Sequence, residues 1–387
     1  MAAATGMATQ TAPKGDGMAY DLTHTLAPDT PRDELDTPCF VVDLDAMERN
    51  IEKMAAYFRG RSAMLRPHMK HHKTPEIAHK QLAAGAIGVC CQKLGEAEAM
   101  ADRGVDDILI TYEIIGSAKV RRLMDLARRV NLMVTVDDAD NVRNLSESAR
   151  AAGVSLGILV DINCGQSRCG VGPGRPGVEL ARAVAGAPGL NFRGLCGYEG
   201  HLQAVADLEE RTTRARDAMA QVVATADAIR DAGLPVDSVS AGGTGTYNIT
   251  GDYPGVTEVQ AGSYVLMDTA YRRVLQDFDV AGTVLASVIS RGTPDRAVLD
   301  CGMKALSSDQ WPPQVVGLPG VEVGAISDEH LSLRLTDSDS RQLRPGDRVE
   351  LIPGHNDTTV HLHTHLFALR SGKLETVWEV AGRGRIR

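Results

Sequence analysis

No apolar run in the 387 residues approaches the ~20 needed to cross a bilayer, so no membrane partner is expected. The first residues carry neither the charged nor the apolar region of a secretory signal, and a cytoplasmic protein is expected. A long basic face is also missing, and the net charge is −9, which argues against nucleic acid as a partner. The seven cysteines occur singly or as the adjacent pair Cys90-Cys91, so reduced thiols are expected rather than a disulfide framework. Cys164 and Cys169 lack zinc-ribbon spacing and read as small packing residues. What is present is a 43% hydrophobic chain, ordinary for a soluble protein with one large and one smaller domain. Residues 1–18, rich in Ala, Thr and Gly, read as a disordered tail.

Reactive nitrogen concentrates in Arg66-Pro67-His68-Met69-Lys70-His71-His72-Lys73-Thr74-Pro75-Glu76. An apolar run, Ala63-Met64-Leu65, precedes it, and Thr74-Pro75 supplies an N-cap and a first-turn proline, so the pattern is strand, loaded turn, helix. Basic runs are usually solvated faces or anion-binding patches. A lysine crowded by cations, however, has its ammonium form disfavoured, and Lys70 is the candidate nucleophile on that ground.

Pro38 to Val42 reads as a strand and Asp45 to Tyr57 as a helix. Apolar runs then recur at 63–66, 86–91, 107–111, 131–136, 155–161, 191–198, 236–240 and 256–261. Helical segments intervene at 94–103, 116–129, 139–152, 175–187 and 207–232. Eight strands with interposed helices predict an α/β fold, a (β/α)8 TIM barrel over 44–272, with an open doubly wound sheet as the alternative. From 273 to 387 the short runs Val284–Ser290, Arg296–Asp300, Leu331–Leu335, Arg348–Ile352, Val360–Leu369 and Glu375–Val380 predict a mostly antiparallel β domain. Residues 19–43 are expected to pack with it.

In such a barrel, chemistry sits just after the strands. Gln92 follows the second strand, Arg168 lies in the loop after the fifth, and Tyr198 ends the sixth. The seventh and eighth lead into Gly242-Gly243-Thr244-Gly245-Thr246 and Gly262-Ser263-Tyr264. Glycines there expose N–H groups, and Thr and Ser add hydroxyl donors, as phosphate sites require. A phosphate-bearing carbonyl cofactor that condenses with a lysine is pyridoxal 5′-phosphate (PLP). Arg168 and Tyr198 would then be available to its ring.

In the β domain, His355 and Asp357 are two apart. In an extended segment both would point to one side and could share a divalent cation such as Mn²⁺ or Zn²⁺. His361, His363 and His365 would share a face if that strand continued, and read more economically as an exposed polar face.

Together, Arg66-Pro67-His68-Met69-Lys70, Cys91-Gln92-Lys93, Arg168-Cys169-Gly170-Val171, Gly242-Gly243-Thr244-Gly245, Gln260-Ala261-Gly262-Ser263-Tyr264 with Met267-Asp268, and His355-Asn356-Asp357 resemble the D-threonine aldolase / D-serine dehydratase family. These are PLP enzymes with an alanine-racemase-like barrel and a C-terminal β domain. The resemblance implies that Lys70 forms the Schiff base with PLP and that Lys73 is a second, non-bonded lysine. It places Arg168, Tyr198 and Gln92 near the ring, and Gly243, Thr244, Gly245, Thr246, Gly262, Ser263 and Tyr264 around the phosphate. His355 and Asp357 become the metal pair, with Mn²⁺ expected and Mg²⁺, Zn²⁺ or Co²⁺ as alternatives.

Dehydratases of the family resemble one another in having His-x-Cys at the metal pair, whereas the aldolases have His-x-Asp. The resemblance therefore implies a lyase that cleaves a small-molecule D-3-hydroxy-amino-acid substrate, D-threonine-like, to glycine and an aldehyde, with His68 as a proton acceptor. The alternatives are a D-3-hydroxyaspartate aldolase, a D-serine or D-threonine dehydratase and, further off, a racemase. A non-catalytic PLP carrier resembles the barrel but usually lacks the β domain. Thr358, the run Leu362-His363-Thr364-His365 and Glu199 depart from the family pattern and are expected near the substrate. A homodimer is implied as well.

Overall fold

The structure, a computed structural model, describes residues 26–387; the tail assigned to 1–18 lies outside them. The chain enters a sheet first, as β1 (Cys39–Asp43), and turns into α1 (Leu44–Phe58), where the Asp43 side chain caps the helix by accepting from the Ala46 N–H. The barrel strands follow: β2 (Met64–Leu65), β3 (Val89–Cys91), β4 (Asp107–Ile110), β5 (Asn131–Val136), β6 (Leu156–Asp161), β7 (Leu190–Gly197), β8 (Ser238–Ala241) and β9 (Glu258–Val259). Between and after them lie α2 (Pro75–Ala83), α3 (Leu94–Ala101), α4 (Ser117–Ala127), α5 (Ala139–Ala152), α6 (Arg175–Ala185), α7 (Leu208–Asp231) and the short α8 (Tyr247–Thr250) and α9 (Thr269–Arg272).

All these strand pairs are parallel, in the order β2-β9-β8-β7-β6-β5-β4-β3. The two ends meet through a parallel bridge between His68 and Cys90, so the sheet closes and the open doubly wound alternative is excluded. Cys90, Leu109, Met133, Leu159 and Cys196 fill the barrel interior, while alternate strand residues pack outward on the helices. Gly194, at φ +145°, makes a bulge in β7, and a Cβ there would lie 1.8 Å from the Ser238 carbonyl oxygen. Only glycine lets β7 approach β8 so closely.

The second sheet runs β13 (Val321–Ile326), β14 (Leu331–Leu335), β11 (Arg296–Leu299), β10 (Gly282–Thr293), β1, β16 (His365–Arg370), β17 (Lys373–Glu379), with β15 (Arg348–Ile352) pairing β10 and β12 (Gln314–Val315). It is antiparallel except for the β1/β16 pair. The strand expected over Val360–Leu369 starts only at His365. Asn356–Val360 is a short helix, α10, and His361 to Thr364 form the turn after it. β12 and β13 had no sequence signal: one is two residues long and the other is half exposed.

Candidate active site

The loaded stretch after β2 folds as a single 3₁₀ turn, Met69–His71, whose N-cap is His68. The Lys70 N–H donates to His68 Nδ1 at 3.3 Å, so the proton of this imidazole sits on Nε2, 3.1 Å from Thr111 Oγ1. Burial and the Lys70 charge hold the His68 pKa well below the usual imidazole range. Both nitrogens are engaged, which suits His68 to fixing the Lys70 turn rather than to the proton-accepting role expected of it. Thr74 stands at the N-cap of α2, but its hydroxyl donates to the His72 carbonyl at 2.7 Å. Arg66 turns away to Glu258 (3.1 Å) and Asp107, and Lys73 makes a buried ion pair with Glu96. The nitrogen-rich segment therefore divides into structural cations and a smaller reactive set.

That set opens on a cavity at the C-terminal ends of the barrel strands. His68, Lys70 and His71 line one side, and Gln92, Arg168 and Tyr198 another. The Arg168 guanidinium lies 5.6 Å from the Tyr198 ring centre. Burial keeps the Tyr198 phenol protonated, raising its pKa against the effect of Lys70. Gly243, Thr244, Gly262 and Ser263 close the far side. Thr244 and Ser263 each begin a one-turn 3₁₀ helix, so their N–H groups have no acceptor within it and stand at the cavity wall. A Cβ on Gly262 would sit 2.7 Å from the His68 carbonyl oxygen, and one on Gly243 would sit 2.6 Å from Gln203 Oε1. An amine at one end and a glycine-lined donor cradle at the other fit PLP.

Three residues expected at the phosphate do not reach the cavity. The Gly245 N–H donates to Gln203 Oε1 (2.8 Å), and Thr246 Oγ1 donates to Glu199 Oε1 (2.6 Å). The Tyr264 ring is wholly buried against Phe278, and its hydroxyl accepts from Gln81 Nε2 at 2.8 Å. Glu199, expected beside the substrate, is buried instead. It takes hydrogen bonds from Thr246, Thr250 and the Gly242 N–H, and so ties the 242–246 loop to the end of β7.

The metal pair lies across the domain boundary from this cradle. His355 is the N-cap of α10 and Asp357 lies in its first turn, so helix geometry rather than an extended strand brings them together. His355 Nε2 and Asp357 Oδ2 face each other at 3.8 Å, and Lys70 Nζ lies 3.3 Å from the same Oδ2. The Lys70 ammonium thus sits where the charge of a cation would. This overturns the expectation of a depressed Lys70: Asp357 raises its pKa, outweighing burial and Arg168. Lys70 and His71 in turn hold the Asp357 carboxyl well below the usual range despite its burial. A nitrogen and a carboxylate oxygen with free lone pairs, the carboxylate already drawing a cationic group to it, fit a divalent metal.

Asp309 had no sequence signal, and His71 stood out only as part of the nitrogen-rich stretch, with no role of its own. His71 Nδ1 is 2.6 Å from Asp357 Oδ1, and its Nε2 is buried without a partner. Asp309 Oδ2 is 3.1 Å from His355 Nδ1. His363 contacts the Ala305 carbonyl (2.7 Å) and the Phe40 ring, so the shared histidine face does not form. Thr358 Oγ1 donates to Asp309 Oδ1 at 2.8 Å. Among the described residues, a further group of possible ligands, Glu113, Asp137 and Cys169, has its donor atoms within 4.8 Å of one another. Burial raises the Glu113 carboxyl, pushes neighbouring Asp161 to about 7 and pushes the Cys169 thiol to about 11. Cys169 is exposed, contrary to a packing role, whereas Cys164 is buried.

Known proteins resemble this chain over nearly its whole length. Residues 42–270 match the family described as alanine racemase, N-terminal domain, and 281–369 match a serine dehydratase domain. A 3-hydroxy-D-aspartate aldolase of Paracoccus denitrificans (strain Pd 1222) is 38% identical, covering 96% of this chain and 99% of its own. A D-threonine aldolase of Arthrobacter sp. is 38% identical, over 92% and 95%. The crystal structure of D-threonine aldolase from Filomicrobium marinum superposes with a TM-score of 0.90 at 41% identity, covering 94% of this chain and 100% of that one. The closed barrel with its lysine turn, the sheet domain and these matches agree: the chain belongs to the alanine racemase-like, fold-type III PLP family.

Proposed function

We propose that the protein is a PLP- and divalent-metal-dependent aldolase that cleaves D-3-hydroxy-amino acids of the D-threonine type to glycine and an aldehyde. The observation that carries this reading is the meeting of Lys70 Nζ, Asp357 Oδ2 and His355 Nε2, at 3.3 and 3.8 Å, in one cavity. Aldolase relatives at 38% identity support it.

Lys70 would hold PLP covalently, with the Thr244 and Ser263 N–H groups at its phosphate and Arg168 and Tyr198 beside its ring. Bound there, PLP would take up the electron pair released at Cα. His355 and Asp357 would hold the metal, Mn²⁺ in this reading, whose charge eases ionisation of a β-hydroxyl. The chain's own part is placement and proton transfer. His71 lines the cavity and donates Nδ1–H to Asp357, which leaves Nε2 as the unengaged imidazole acceptor, and we assign to it the hydroxyl proton. Arg168 is the one guanidinium on the described cavity wall. With it at the ring, none of the described residues lining the cavity offers a further arginine for a second substrate carboxylate, which favours a neutral side chain over 3-hydroxyaspartate.

We further propose a homodimer, on the family relationship, and a cytoplasmic location. Among the described residues no helix is long and apolar enough to cross a membrane. Light scattering tests the dimer. The reaction is tested by product analysis of PLP- and Mn²⁺-loaded protein given D-threonine, D-3-hydroxyaspartate and D-serine, with and without EDTA. Glycine and acetaldehyde, abolished by EDTA, are expected. Ammonia with a 2-oxo acid would make the protein a dehydratase instead.

A further inference from the structure

We propose that Asp309 is a positioning residue of the metal centre: it fixes His355 in the one tautomer, protonated on Nδ1, whose Nε2 can bind a cation. The inference rests on the metal reading above and concerns a residue outside the His-x-Asp pair. Asp309 lies on the segment between β11 and β12, remote in sequence from His355, and is partly exposed. Its Oδ2 is 3.1 Å from His355 Nδ1. Its other oxygen accepts from Ser307 Oγ at 2.6 Å and from Thr358 Oγ1 at 2.8 Å.

Those two hydroxyls set the orientation of the carboxylate. Oδ1 is saturated with donors, so Oδ2 is the oxygen left for the imidazole, and a carboxylate oxygen can only accept there. His355 must therefore carry its proton on Nδ1. The bare Nε2 then faces Asp357 Oδ2 at 3.8 Å. An imidazole ligand oriented by a carboxylate on its remote nitrogen is a general way to hold a metal-binding histidine.

The backbone around it supports a built arrangement. A Cβ on Gly354 would lie 1.7 Å from the Trp311 carbonyl oxygen, so the Asp309 segment is laid directly against the strand leading to His355. The Ser307 N–H donates to Thr359 Oγ1 (3.1 Å), and Thr359 Oγ1 donates to the His355 carbonyl (2.8 Å).

The chemistry separates this role from a packing or a purely electrostatic one. In Asp309→Asn the amide oxygen takes the place that accepts from Ser307 and Thr358, and the NH₂ turns to His355 Nδ1. That nitrogen must then accept, which moves the ring proton to Nε2, the atom the metal needs. In Asp309→Ala the ring keeps only the Thr358 hydroxyl, 3.3 Å from Nδ1, which can either donate or accept, so either tautomer is open to it.

The test is Mn²⁺ titration of the PLP-loaded enzyme and of both variants, with free Mn²⁺ followed by electron paramagnetic resonance and the cofactor absorbance and melting temperature read in parallel. Mn²⁺ binding is expected to weaken about tenfold in Asp309→Ala and at least as much, up to about 100-fold, in Asp309→Asn, with cofactor absorbance and melting temperature unchanged. Asn binding Mn²⁺ within about twofold of the parent, or clearly tighter than Ala, would overturn the tautomer role. His355→Ala serves as the reference. If it binds Mn²⁺ as tightly as the parent, the metal pair itself is misassigned, a failure distinct from that of Asp309 alone.

Discussion

The two ends of the cavity are built in different ways. The cradle after β8 and β9 is finished by neutral hydrogen bonds and one buried carboxylate: Glu199 and Gln203 satisfy the 242–246 loop, and glycines keep its N–H groups open. The metal end is a set of charges brought together from distant segments, with Lys70, His71, Asp309 and His355 around Asp357 and one imidazole nitrogen left unpaired. A cradle braced by hydrogen bonds within its own loop keeps its shape before its ligand arrives. A cluster of charges holds its shape only through the balance of those charges, which a bound cation would change. Loss of a brace should therefore show in cofactor affinity and stability, and loss of a charge in metal binding and turnover.

The largest effect is expected for Lys70→Ala, with turnover falling on the order of 10³-fold or more and the covalent cofactor absorbance lost. Retained activity would remove Lys70 from its role. Next, His355→Ala should lower turnover at least about 100-fold while the cofactor absorbance persists; loss of both signals together would merge the two ends into one site. Glu199→Gln removes the charge that accepts from Thr246, Thr250 and the Gly242 N–H. A destabilisation of about 2 kcal/mol in urea unfolding is expected, with PLP bound more weakly and Mn²⁺ affinity unchanged.

Gly262→Ala drives a methyl group towards the His68 carbonyl, and PLP affinity is expected to fall about tenfold, read by equilibrium dialysis. The smallest effect is in pH. Burial pushes His72 down to about 3 from its ordinary 6.5, so the unfolded chain binds a proton that the folded protein refuses. Stability is then lost as pH falls: about 1 kcal/mol should disappear between pH 6.5 and about pH 5.5, and His72→Asn should flatten that slope.

The barrel was legible because each of its units is local. An apolar run, a glycine or aspartate, and an amphipathic segment specify strand, turn and helix within about 30 residues, and the glycine-rich turns after β8 and β9 announce themselves in the same way. Lys70 was found through its motif, although the reason given for its reactivity failed: Asp357, 3.3 Å away in space, lies in the other domain and reverses the sign of the shift. Asp309 and the brace formed by Glu199 were illegible for the same reason, since an isolated aspartate or glutamate says nothing about a partner 46 or 47 residues away. Tyr264 shows the opposite error. A tyrosine next to a phosphate turn looked like a ligand, but the 3₁₀ turn at Ser263 rotates its ring into the core.

The most direct test is borohydride reduction of the PLP-loaded protein followed by peptide mass mapping, in the parent and in His355→Ala. The cofactor should be found on Lys70 in both, because the amine and cradle are independent of the metal pair. Its attachment to Lys73 or Lys93, or its loss when His355 is removed, would contradict the division of the cavity into a lysine end and a metal end.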